Sequence, residues 1–147
     1  MSVRFAGYAA VFDAVDRGGD VVRAGAFGAS ASEPIGPVPL LWQHRGAAVG
    51  VVERLAEDAR GLRVIGRIEE AALAGLVASG AVWGLSFGYR VVAARRLIGA
   101  GRVRELTALD LVEISLVAQP MQAMARVHAV EPMSATESTG RPTPSAG

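Results

Sequence analysis

Along this chain the apolar positions fall into many short runs and one helical stripe. Residues 69–79 are rich in strong helix formers, with Glu69 and Glu70 in the first turn, where acids suit the helix dipole. Leu73, Leu76 and Val77 recur there at i, i+3 and i+4 and predict one apolar face, with Gly80 as the stop. A shorter helix is predicted near residues 24–31. The remaining runs are strand-like: 4–12, 38–43, 48–53, 62–68, 82–93, 103–109 and 111–118. The stretch 57–61 predicts a hairpin connection, and residues 13–20 predict a turn-rich loop.

Many short strands with one or two helices predict a mainly β fold of the α+β class, a compact β-barrel or sandwich carrying a few helices. From Glu131 onward the chain turns to Pro, Ser, Thr, Gly and Ala, with almost no large apolar residue. One domain over residues 1–130 and a flexible tail over 131–147 are therefore expected. The 147 residues suit a single domain, and at 51% hydrophobic and 20% charged they can bury a real core.

Composition then narrows the chemistry. Fifteen basic residues against 14 acidic leave a net charge of +1, which argues against an electrostatic nucleic-acid binder. The absence of cysteine excludes disulfides, thiolate metal sites and cysteine nucleophiles. The two histidines, His44 and His128, are too few for a His-rich metal site. Every basic residue is arginine, which excludes lysine Schiff bases, a phosphate-loop lysine and a Ser–Lys dyad. The N-terminus lacks the apolar core of a secretory signal, and no apolar stretch approaches ~18 residues. A cytoplasmic protein without a membrane partner is expected.

Three residues could carry chemistry. His44 ends the run 38–44, where an imidazole could serve as a general base; the plain alternative is a strand-end histidine bonded to backbone. Ser86 sits in Gly84-Leu85-Ser86-Phe87-Gly88. Glycines two before and two after a serine leave space around it for a substrate carbonyl. The same pattern marks the nucleophile elbow of α/β-hydrolases. Here, however, the helix precedes the serine and the strand follows, so a closely packed glycine-rich strand is an equal reading. Glu113 lies in a predicted strand whose positions 111, 113, 115 and 117 share a face, so it points with Ser115 beside Leu111 and Val117. An acid on so apolar a face needs a partner, and a histidine to orient would supply one. Ser115 is a second candidate nucleophile, and Asp110 and His128 are alternative third members. Arg95-Arg96 reads as a solvated charged turn.

Taken in order, these motifs resemble the caudovirus prohead proteases, which mature the capsids of tailed phages and gene transfer agents. The matching blocks are residues 5–12 with 20–27; residues 38–44 with Val49-Gly50 and 61–64; the helix leading into 84–89; and residues 111–117 with Pro120. Together they span residues 5–127. The turn after Glu113 departs from the family's Pro-Ala-Asn and reads Gln119-Pro120-Met121-Gln122.

The resemblance implies a herpesvirus protease-like β-barrel, closed or orthogonal, flanked by helices and often dimeric. It implies a serine endopeptidase with Ser86 as nucleophile, His44 as base and Glu113 as third member, needing no metal or cofactor. The substrate would be scaffold, or the N-terminal scaffold-like part of the major capsid protein, cut inside the immature head, with self-cleavage besides. With no scaffold segment in so short a tail, the scaffold is expected on another chain or on the capsid protein. Two other classes compete: a non-catalytic assembly factor that binds capsid or scaffold chains, and an unrelated small β-barrel binding module.

Overall fold

The computed structural model describes residues 1–32, 38–99 and 101–133. In chain order the elements are β1 (Ser2–Val11), β2 (Asp20–Val22), α1 (Ala29–Ser32), β3 (Pro39–Trp42), β4 (Arg45–Glu57) and β5 (Gly61–Ile68). There follow α2 (Ala71–Ala78), β6 (Gly84–Arg96), β7 (Arg104–Val117) and β8 (Val127–Met133). One eight-stranded sheet runs β2-β7-β3-β4-β5-β1-β8, with β6 also on β7. The mainly β expectation therefore holds.

Strand β7 is the hub. It pairs in parallel with β2 through residues 104–106 and with β3 through 114–116, and antiparallel with β6 over most of its length. The sequence divides this strand in two at Asp110. Instead Asp110 stays in the ladder opposite Arg90, and bulges on either side absorb the mismatch.

The ladders do not close into the expected barrel. The start of β6 meets the run into β8 at an isolated bridge between Gly84 and Arg126. Hydrogen bonds from Leu85 N to Ala125 O (3.0 Å) and from Val127 N to Trp83 O (2.8 Å) flank it. The reason lies in β6. It is committed to β7 over thirteen residues and continues past Tyr89 as an exposed ribbon, so only its first residues reach the far edge.

Two strands have no counterpart in the sequence reading. β2 is three residues long inside the turn-rich loop. β8 carries Pro132 and is mostly exposed, as suits an edge strand. β8 also crosses the expected domain boundary at 130: Glu131, Pro132 and Met133 pair with Arg4, Val3 and Ser2. Residues 134–147 of the expected tail lie outside the described residues.

Helix α2 is shorter than its helix-forming stretch because Glu70 is its N-cap. The Glu70 carboxylate accepts from Ala72 N (3.1 Å) and Leu73 N (2.8 Å). Leu73, Ala74 and Val77 form its buried face, while Leu76 turns to the rim and is 45% exposed. In the predicted helix 24–31, left-handed Gly25 and Gly28 turn the chain twice, so only Ala29–Ser32 is helical.

The core gathers Phe5, Leu40, Leu62, Ile68, Leu85, Leu106, Ile114 and Leu116 from the strands. Phe27 plugs it from the β2–α1 turn, its ring 6.5 Å from Phe12 and 5.2 Å from Phe87. Because Phe27 is 1% exposed, Phe27→Ala should cost about 3–5 kcal/mol, read as a lower urea midpoint at unchanged slope.

Two carboxylates tie β2 and its neighbourhood to β7. Arg104 grips Asp20 with two hydrogen bonds of 3.0 Å, and Glu105 takes Arg23 (2.7 Å) and Arg95 (2.6 Å). Hydrogen bonding to these arginines holds Asp20 below its ordinary 3.8 and Glu105 below its ordinary 4.5. The native state thus binds fewer protons than the unfolded chain, so stability rises with pH through that range. Thermal melting should show a plateau near neutrality and a Tm that falls as pH drops below about 4.5. Asp20→Asn should flatten part of that fall.

Candidate active site

The hairpin between β3 and β4 has only Gln43 and His44 as its loop. Both have positive φ, 55° and 64°, as a two-residue type I′ connection demands. Neither is glycine, so the turn carries strain of order 1–3 kcal/mol per residue, which the surroundings must hold. β7 supplies that support. Gln43 N donates to Leu116 O (3.0 Å), and the Gln43 Oε1 accepts from Ala118 N (2.8 Å). His44 N donates to Ser115 Oγ (3.1 Å).

Glu113 and Ser115 do share a face of β7. The Ser115 hydroxyl donates to Glu113 Oε2 (2.6 Å), and Glu113 Oε1 accepts from His44 Nδ1. An ionised carboxylate offers only acceptors, so the contact calls for a proton on Nδ1, the tautomer that in a neutral imidazole keeps the lone pair on Nε2. The Glu113 side chain is 8% exposed against 42% for His44, so the acid is sheathed while the imidazole reaches solvent.

The β6–β7 register explains the glycines around Ser86. Gly84 opposes Val117, Ser86 opposes Ser115 and Gly88 opposes Glu113. A Cβ on Gly88 would lie 2.4 Å from Glu113 Oε1, and one on Gly84 would lie 2.7 Å from Val117 O. The pattern is thus a cross-strand packing device, not the strand–turn–helix elbow that it resembles. Gly88 clears the room in which the Glu113 carboxylate sits.

Ser86 and His44 line one cleft of about 380 Å³, with Gln43, Val117, Ala118, Gln119 and Met121 completing its walls. Ser115 is fully buried and its one proton is spent on Glu113. Asp110 is exposed, opposite Arg90. His128 lies on β8, its ring edge-on to Tyr8 at 5.7 Å. Burial, then the cations Arg60 and Arg126, lower its pKa. Arg95 is bound to Glu105 on the exposed ribbon.

Sequence reasoning missed two glutamines. Gln43 clamps the strained turn. Gln122 sits in the turn between β7 and β8. It is buried and brackets the end of β1: Val11 N donates to its Oε1 and its Nε2 donates to Val11 O, both at 2.8 Å. No spacing rule marks either residue, because each acts across more than 70 residues of chain.

The fold is that of the herpesvirus proteases. KSHV protease, solved in complex with a hexapeptide phosphonate inhibitor, superposes with a TM-score of 0.59 at 14% identity, covering 96% of this chain and 69% of its own. Varicella-zoster virus protease gives 0.54 at 16% identity, covering 90% and 65%. At such identities the likeness is one of fold. The chain belongs to the caudovirus prohead serine protease family, whose sequence model matches residues 1–139. It is 31% identical over 142 residues to the prohead protease of Enterobacteria phage HK97; the match covers 90% of this chain and 62% of that relative's length.

Proposed function

We propose that this chain is a serine endopeptidase of capsid maturation. Ser86 Oγ attacks the scissile carbonyl, His44 Nε2 takes its proton and returns it to the leaving amine, and Glu113 holds the imidazole in that tautomer. The observation that carries the reading is the hydrogen-bonded run from Ser115 through Glu113 to His44, ending at the cleft that Ser86 lines. The substrate is scaffold, or the N-terminal scaffold-like segment of the major capsid protein, cut within the immature head; the protease also trims itself and works as a homodimer. Family membership supports these assignments. Among the described residues, no helix is long and apolar enough to cross a membrane.

The test is the intact mass of the major capsid protein co-expressed with this chain. A defined N-terminal truncation is expected. Heads that assemble with full-length capsid protein would instead favour a non-catalytic assembly factor.

The glycine next to the acid gives a sharper check. Gly88→Ala must push the Glu113 carboxylate off His44, and a displacement of about 1 Å costs roughly 10²-fold in rate. Cleavage should slow by that factor while Tm falls by only a few degrees.

A further inference from the structure

We propose that Ser115 is a positioning residue, which sets the backbone and the ring of His44 at once. The inference rests on the reading of His44 as the base and goes beyond it by assigning what holds that base in place. β3 runs parallel to β7, with Leu41 beside Ser115 and Trp42 beside Leu116. Gln43 N takes the last carbonyl of this ladder, Leu116 O, at 3.0 Å. The chain then reverses, and the next donor, His44 N, has left the ladder. Ser115 Oγ accepts it at 3.1 Å.

That bond falls on a residue with φ of 64°, where an L side chain is under strain and an unheld backbone would relax. The same oxygen carries a proton, and it donates this to Glu113 Oε2 at 2.6 Å. Glu113 Oε1 in turn fixes His44 Nδ1. One hydroxyl therefore closes a ring of contacts: His44 backbone, Ser115, Glu113, His44 imidazole. Ser115 is 0% exposed, so it makes these contacts without meeting substrate. An alanine there leaves His44 N without its acceptor and one carboxylate oxygen without its donor.

The test uses a fluorophosphonate that labels activated serines, together with NMR of ring-labelled histidine. The chain has two histidines, so the spectrum is simple, and His128→Gln assigns it. Wild type should be labelled at Ser86 and should show a single His44 tautomer with the proton on Nδ1. Ser115→Ala should slow labelling by about 10–100-fold, keep the label on Ser86, and mix the tautomers. Ser115→Cys, close in size but a poorer acceptor, should do the same if the alanine variant does not hold its fold. Ser115→Thr, which restores the hydroxyl, should recover most of the rate.

An unchanged labelling rate with an unchanged His44 spectrum overturns the proposal. So does complete loss of label with a wild-type His44 spectrum, which would make Ser115 the nucleophile. Failure of wild type itself to label would count against the endopeptidase reading. The His44 spectra of wild type and Ser115→Ala would then still decide whether Ser115 positions the ring.

Discussion

Ser86→Ala should abolish capsid-protein processing, lowering the rate by about 10⁴–10⁶-fold, with the fold unchanged. On the proposed mechanism the variant loses the nucleophilic oxygen, while little else depends on it. The hydrogen bonds that hold the site run through Ser115, Glu113, His44 and Gln43, and Ser86 contributes to that set only its place opposite Ser115. A small side chain already accommodated between β6 and β7 is replaced by a smaller one, so stability should change by about 1 kcal/mol or less. Capsid protein mass and the melting curve of the purified variant read the two halves of the expectation. Processing at the wild-type rate would remove Ser86 from the mechanism.

Glu113→Gln should have the second largest effect, about 10³–10⁴-fold on kcat. The carboxylate accepts from two donors at once, the Ser115 hydroxyl and His44 Nδ1. An amide has one oxygen and one NH₂ group, so one of those donors meets a donor. If the imidazole yields, it turns to the tautomer protonated on Nε2 and can no longer accept the serine proton. If Ser115 yields, a buried polar group is left unpaired at about 1–3 kcal/mol. Cleavage rate and urea unfolding should therefore both move, unlike with Ser86→Ala. The double variant should be no slower than Ser86→Ala alone, because groups acting as a unit do not add. A further loss in the double variant would show Glu113 acting apart from the serine.

What was legible in the sequence follows from range. Strands rich in β-branched, aliphatic and aromatic residues, such as β5 and the first half of β6, stand out because that signal is local. So does the sharing of a face by Glu113 and Ser115, which strand alternation alone requires. β2 is a strand only because β7 offers it three partners, and β8 only because β1 has a free edge. Whether the sheet closes is not legible, because nothing local reveals that β6 runs outward past Tyr89. The glycines flanking Ser86 were visible, but their purpose was not. They clear space for Glu113 and Val117, some thirty residues away, and the register that aligns them belongs to the folded sheet. The strained turn at Gln43 and His44 was hidden for the same reason. A type I′ connection is signalled locally by Asn-Gly or Asp-Gly, and here bonds to β7 stand in for that chemistry.

The central position of β7 also bears on the order of events as the polypeptide leaves the ribosome. His44 is made early, but its turn is held by Leu116, Ser115 and Ala118, and its ring by Glu113. A nascent chain that has not yet reached Ala118 holds His44 and Ser86 but lacks the residues that hold the His44 turn and ring. The hub strand follows both of its site partners in the chain, so the contacts that hold the site wait on its synthesis. On the proposed mechanism, a chain still being synthesised would leave the unfolded chains around it uncut.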